Sequence, residues 1–344
     1  MRATDLHSGG AGRSGQRVQR PHARRIFLLG GGQPVQPRIG HRSPWRGCFD
    51  QGDDPRARTP PAGISRCVNK TNEPAESDTH AVYTCRLPLS TTTLTFVTGV
   101  LREHLKAIGS RWRRLPTGKI TIIVLAVLRH DQRITDMAGG NHVSRGTVLR
   151  WVREVIALLA ARAPRLDRAL KKITKAGGEV VLIDGTLIRT ERRTGADDRK
   201  NYSGKHKTHG LLFLALTDVA GNLLWISAAR PGRSSEITTA RHNHIVQKLR
   251  DAGLGALADL GFVGLDDDPD DPIVITGRKA TRDKPLTRAQ KQVNQLIASE
   301  RAPVEHGFAD LKNWRILSKL RLDPALATML LRALLVLTTI ETAR

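Results

Sequence analysis

Three carboxylates stand where a charge needs a reason. Asp184 closes the aliphatic run VVLI at residues 180–183, a stretch of the kind that fills a buried strand. An ionised carboxylate is costly to bury unless it is paired or holds a cation. Asp259 ends another short apolar segment, in ALADLGF at residues 256–262. Glu305 lies four residues after Arg301 and seven before Lys312, a spacing that puts all three on one side of a helix. Singly, each acid has a plain explanation: Asp184 caps a turn with Gly185 and Thr186, Asp259 begins a turn, and Glu305 is a solvated helix residue. Brought together they would repel one another. Two Mg²⁺ ions, hard acids that prefer oxygen ligands, would relieve that repulsion, with Mn²⁺ as a substitute. Such a pair can activate a water or a 3′-hydroxyl and stabilise the leaving oxygen of a phosphodiester.

The order of elements decides whether the acids meet. EVVLIDGT predicts a first strand ending at Asp184, and LLFLALTD and NLLWISA predict two more, joined by a hairpin signal at Gly221 and Asn222. Residues 234–249 predict one helix behind a Ser cap. A strand ending in Asp259 follows, then a strand over 271–277, then a helix-rich stretch from about Thr287 that carries Glu305. This is the order of an RNase H-like fold, an α/β architecture with a mixed sheet flanked by helices. Its first and fourth strands are neighbours, so Asp184 and Asp259 would project side by side, with Glu305 brought opposite by the late helix. The acidic run at 266–271 contains a Pro and predicts a solvated loop outside the catalytic set.

Charge points to the partner. The chain has 344 residues, 56 Lys and Arg against 32 Asp and Glu, and a formal net charge of +24. That imbalance favours polyanions, nucleic acid first. Residues 81–178 are the most lopsided part, with 18 basic and 5 acidic side chains. Within them, helical spacing recurs over 94–108 and 119–129. Residues 132–162 then split into a short helix at 134–139, a tight turn at 140–143 with His142 where Gly is usual, and a longer helix capped by Ser144. With Ala138 at the crossing and Met137, Val143, Val148 and Trp151 as core, this predicts a helix-turn-helix presenting Arg145, Thr147, Arg150 and Arg153 to DNA. The plain alternative is a generic helical hairpin. A basic helix over 165–178 ends at Gly177 and Gly178, a domain boundary.

Residues 1–80 are rich in Arg, Gly, Pro and Ser and predict disorder. A basic arm on phosphates and upstream sequence not normally translated are the alternatives, since no Met stands between Met1 and Met137. The expected organisation is therefore 1–80 disordered, 81–176 an all-α DNA-binding domain and 179–340 the catalytic domain. Cys48, Cys67 and Cys85 show no CxxC spacing, which suits a reducing cytoplasm. No apolar run is expected to reach the ~18 residues that span a bilayer.

RAPVEHGFADLKNWRIL, residues 301–317, resembles the signature helix of bacterial insertion-sequence transposases of the DDE superfamily, in particular the insertion sequence five group. LIDGT, YSGKHKTHG, DVAGNLLWISAARPG and LADLGF are similar to that family's successive blocks, so the likeness spans roughly residues 82–340. It implies that Asp184, Asp259 and Glu305 bind metal and carry catalysis, and that Arg301 and Lys312 hold phosphates. Two positions depart from the pattern. Ala298 stands where many members have Tyr, and RPGRSSE places Ser235 and Glu236 where the family often has His-Asp, so Glu236 is left out of the expected site. Lys205, His206 and Lys207 are either DNA contacts or a charged loop. Trp314 is either a packed residue or a platform for a displaced base.

The expectation is a transposase that binds terminal inverted repeats and target DNA as a homodimer, and cuts and joins strands at one Mg²⁺-dependent site. The alternative is a helix-turn-helix regulator or an inactive remnant without nuclease activity.

Overall fold

The computed structural model describes residues 84–343 apart from 112, 192–197, 267, 269, 319 and 322. The expected disordered segment 1–80, and Arg192 and Arg193 after the first strand, lie outside the described residues. Five helices come first: α1 (Thr91–Ala107), α2 (Thr117–His130), α3 (Ile134–Gly139), α4 (Arg145–Ala160) and α5 (Leu166–Lys175). Next come β1 (Val180–Arg189), the short α6 (Asp198–Asn201), β2 (Tyr202–Ser203), β3 (Thr208–Thr217), β4 (Leu223–Ile226) and β5 (Arg230–Pro231). The chain ends with α7 (Glu236–His242), α8 (Ile245–Ala252), β6 (Gly255–Ala258), β7 (Val274–Thr276), α9 (Arg288–Lys312) and α10 (Pro324–Thr342).

The strands form one mixed sheet in the order β2-β3-β1-β6-β7, with β4 and β5 also on β3. β1 is antiparallel to β3 and parallel to β6, and β6 is parallel to β7. The expected neighbourhood of the first strand and the strand before Asp259 is therefore present, in a mixed sheet flanked by helices. Both sheet faces are covered, which explains why β1 and β3 read as nearly continuous apolar runs. Leu182, Ile188, Phe213 and Ala215 pack toward α4, α9 and α10, while Val181, Ile183, Leu214 and Leu216 pack toward α5, α7 and α8.

Three expectations about elements are corrected. β1 does not stop at Asp184 but continues to Arg189, because the ladder to β3 runs through Arg189↔Gly210. Thr186 and Ile188 are buried within that extension. The helix expected over 234–249 is two helices, broken at Asn243 and His244, where His244 adopts φ 53°. Pro324–Thr342 is long and apolar enough by composition to cross a membrane. In this fold it is a core helix, with half of its apolar window buried, packed on α4, α1, α9 and β4.

The first helical segment follows its pattern closely. Ser90 caps α1 and Ser144 caps α4, each hydroxyl accepting a backbone N–H three residues on. The α3–α4 turn closes through Val143 N–H to Ala138 C=O at 3.0 Å, with His142 at φ 51° in the left-handed region. Ala138, Val148 and Trp151 are buried there. These helices share a single apolar core with the near face of the sheet. Trp314 lies in that core, 1% exposed, its indole N–H donating to Thr338 Oγ1 at 3.0 Å and its ring under Arg129. A base-stacking role for it is thereby excluded.

Candidate active site

Asp184 and Asp259 meet at the point where parallel pairing ends. The register Ile183↔Ala258 is the last between β1 and β6, so the next residue on each strand is an Asp. Beyond it β1 keeps only its antiparallel neighbour and β6 turns into a 3-10 turn at Leu260–Phe262, which Asp259 caps by accepting Gly261 N–H at 2.8 Å. The end of β6 thus leaves an opening on one side of β1 at Asp184. Asp184 is 20% exposed, and its Oδ1 accepts Gly185 N–H at 2.8 Å.

A further acid stands beside them. Glu236, the first residue of α7, reaches the opening from the far side of the sheet. Glycine makes the approach possible: a Cβ at Gly185 would lie 2.9 Å from Glu236 Cγ, and one at Gly261 would lie 1.6 Å from Glu236 Oε2 and 2.8 Å from Asp259 Oδ1. Glu236 is 12% exposed and takes the Lys205 ammonium at 3.1 Å. Sequence reasoning set it aside because Ser-Glu replaced His-Asp. The usable signal was that a carboxylate had been exchanged for a carboxylate, one residue past a Ser cap.

Of the two bases beside Glu305 in sequence, Arg301 reaches the site, with a guanidinium nitrogen 3.4 Å from Asp184 Oδ1. Its Nε is buried without a hydrogen-bond partner. α9 is held in place partly by the β3–β4 hairpin, whose Gly221 at φ 88° leaves no room for a Cβ against the Pro303 carbonyl. Val304, Phe308 and Leu311 form the buried side of α9, while Glu305 and Lys312 are exposed. The Lys312 ammonium lies 5.8 Å from the Phe308 ring centre. Lys207 occupies a left-handed turn position before β3, exposed to solvent.

The electrostatics reflect crowding of like charge. Burial pushes the Asp184 carboxyl up to about 6. Arg301 and the Gly185 N–H oppose the rise, and the charges of Asp259 and Glu236 add to it. Burial acts to lower the Lys205 ammonium, but Glu236, with Asp259 and Asp184 behind it, raises it on balance. Among the described residues, no three acidic, imidazole or thiol side chains are gathered at metal-ligand spacing. Asp184 faces Arg301 and Glu236 faces Lys205, so each of these carboxylates has a cation of the chain beside it. The donors are of the right kind for a hard cation, carboxylate oxygens set close together at the opening.

The four α4 residues expected to face DNA divide between two surfaces. Thr147 and Arg150 line a cleft with Ser110, Arg113 and Arg114, whereas Arg153 lines a more apolar groove with residues of α2 and α10. Arg145 is exposed at the start of the helix. The acidic run at 266–271 includes Asp266, which accepts the backbone N–H groups of Ile273 and Val274 at 2.6 and 3.1 Å and so supports β7.

Residues 183–339 match the family model described as DDE superfamily endonuclease. A relative from Streptomyces albus G, described as "Putative transposase for insertion sequence element IS112", is 27% identical over 228 residues, covering 66% of this chain and 81% of the relative. No solved structure matches. The C-terminal part of the chain is thus similar to DDE superfamily endonucleases, and two thirds of the chain to a relative described as a transposase.

Proposed function

We propose that the protein is the transposase of an insertion sequence of the insertion sequence five group. Asp184, Asp259 and Glu305 are its catalytic acids, and Glu236 completes the acidic surround. The α3–α4 hairpin is a helix-turn-helix that recognises the terminal inverted repeats through Arg145, Thr147, Arg150 and Arg153. The observation that carries this reading is the pairing of β1 with β6, which sets two aspartates side by side at an opening in the sheet.

Two Mg²⁺ ions, or Mn²⁺ in their place, would when bound activate a water or a 3′-hydroxyl and stabilise the leaving oxygen of an in-line attack. Asp184, Asp259, Glu236 and Glu305 are the residues that would hold them. Asp184 must be ionised to do so, and its raised titration makes the site respond to pH near 6. Arg301, once Asp184 has another cation, can offer its planar fork to a phosphate oxygen. Lys205, Lys207 and Lys312 supply further positive charge for the DNA strands. Cleavage at the element's end and joining to target DNA are both phosphoryl transfers and need only one such site. Two ends handled together call for a homodimer on DNA.

The test is nicking of a supercoiled plasmid that carries the element's ends. Wild type nicks with Mg²⁺ and not with EDTA, and Asp184→Ala does not nick; equal nicking by both proteins refutes the enzyme. The second reading, a DNA-binding regulator or inactive remnant, draws support from the Arg301–Asp184 pair, which could serve as a permanent neutralisation. It predicts DNA binding with no Mg²⁺-dependent nicking.

A further inference from the structure

The connection between α1 and α2 and the N-terminal half of α4 enclose a cleft of about 520 Å³, lined by Ser110, Arg113, Arg114, Thr147, Arg150 and Glu154 over the buried Trp151. Its charges are not equivalent. Arg113 grips Glu154 with both guanidinium nitrogens, at 3.1 and 2.8 Å, and His104 Nε2 stands 3.3 Å from the same carboxylate. The single acid of the cleft is therefore already taken. Arg114 and Arg150 are exposed, and among the described residues neither has an acidic partner at ion-pair distance. Arg150 is steered along the helix by donating to Thr147 Oγ1 at 3.3 Å, and Thr147 in turn shares a 2.8 Å hydrogen bond with the capping Ser144.

We infer that this cleft seats a backbone phosphate of duplex DNA, held by the guanidinium forks of Arg114 and Arg150 and by the hydroxyls of Ser110 and Thr147. The inference rests on the DNA-binding half of the proposed function, assigns Thr147 and Arg150 within it to the DNA backbone instead of the bases, and adds a contact from outside the α3–α4 hairpin. Planar guanidinium groups match phosphate oxygens in pairs. Hydroxyl donors are the usual companions of such contacts. The Arg113–Glu154 pair braces the cleft wall, leaving a net double positive charge in front of it. Such a contact fixes register on the duplex and reads no base.

Binding of two fluorescent duplexes, one with the element's end and one of scrambled sequence, is measured by anisotropy over a salt series for the full chain. Arg114→Ala and Arg150→Ala should each flatten the slope of log K against log salt by about 1, with equal weakening on both duplexes, and Arg114→Lys should restore the slope. An unchanged slope in Arg114→Ala, or a loss confined to the element's end, overturns the inference; so does failure of wild type to bind either duplex at low salt. Circular dichroism of each variant guards against unfolding. The outcome is separable from the enzyme reading: if Asp184→Ala nicks like wild type while the Arg114 slope falls, the cleft stands and the nuclease does not.

Discussion

Glu154 and Asp184 are both largely buried carboxylates facing an arginine, one between helices and one in the sheet, yet they are built to opposite ends. Glu154 is 19% exposed and receives a bidentate Arg113 and a neighbouring His104. Asp184 is equally sheltered but receives one backbone N–H and a single Arg301 nitrogen at 3.4 Å, with two other acids pressing on it. The first arrangement saturates an acid and stiffens the helices. The second leaves an acid short of positive charge, which destabilises the fold and suits the cation-binding role proposed for Asp184.

Breaking each pair in turn should expose the contrast. Asp184→Asn is expected to lower Mg²⁺-dependent nicking by about 10³-fold, the scale of several kcal/mol of lost charge stabilisation. A residual rate within a few fold of wild type would remove Asp184 from catalysis. The same variant should be the more stable protein in metal-free buffer. Asp184 titrates near 3.8 when unfolded and about 6 when folded, so below 3.8 both states carry the proton and nothing is lost. As pH rises through 3.8 to 6 the unfolded chain releases its proton first, and stability falls to a constant deficit of about 3 kcal/mol above 6. Urea melts should show Asp184→Asn gaining up to that amount near neutrality, less the cost of leaving Arg301 unpaired, and gaining nothing in acid.

Glu154→Ala should move stability the other way, by about 2 kcal/mol, because it strands a sheltered guanidinium. If both variants shift the melt in the same direction, the two pairs are not opposites. The smallest effect expected is that of Gly261→Ala. Its Cβ needs the space of the Glu236 carboxylate, the flexible end of a side chain, so the fold should tolerate it while nicking falls roughly tenfold. A matching drop in melting temperature would show that the glycine serves packing instead of Glu236.

The parts legible in the sequence were those with a local period or cap. Ser144 and Thr287 mark helix starts that the structure keeps. The strand order followed from apolar runs and the Gly221 hairpin, and it carried the meeting of Asp184 with Asp259. The second half of β1 was hidden because a charge interrupts its apolar run and only the partner β3 explains the residues beyond. The break at His244 was hidden because a non-glycine residue takes a positive φ there. Glu236 was hidden most thoroughly, since its place depends on two glycines distant in sequence whose missing side chains leave it room.

One fastening joins the two ends of the described chain. Glu341, in the last turn of α10, accepts the backbone N–H and hydroxyl of Ser90 at 3.0 and 2.7 Å and the hydroxyl of Thr93, at the very start of α1. α10 is also a main packing partner of α4. During synthesis α1 and α4 therefore emerge well before the nineteen-residue helix that covers part of their apolar surface, and that part stays open until α10 has been made. Removing α10 is therefore expected to loosen α4 and the start of α1 together, although the three elements lie far apart in sequence.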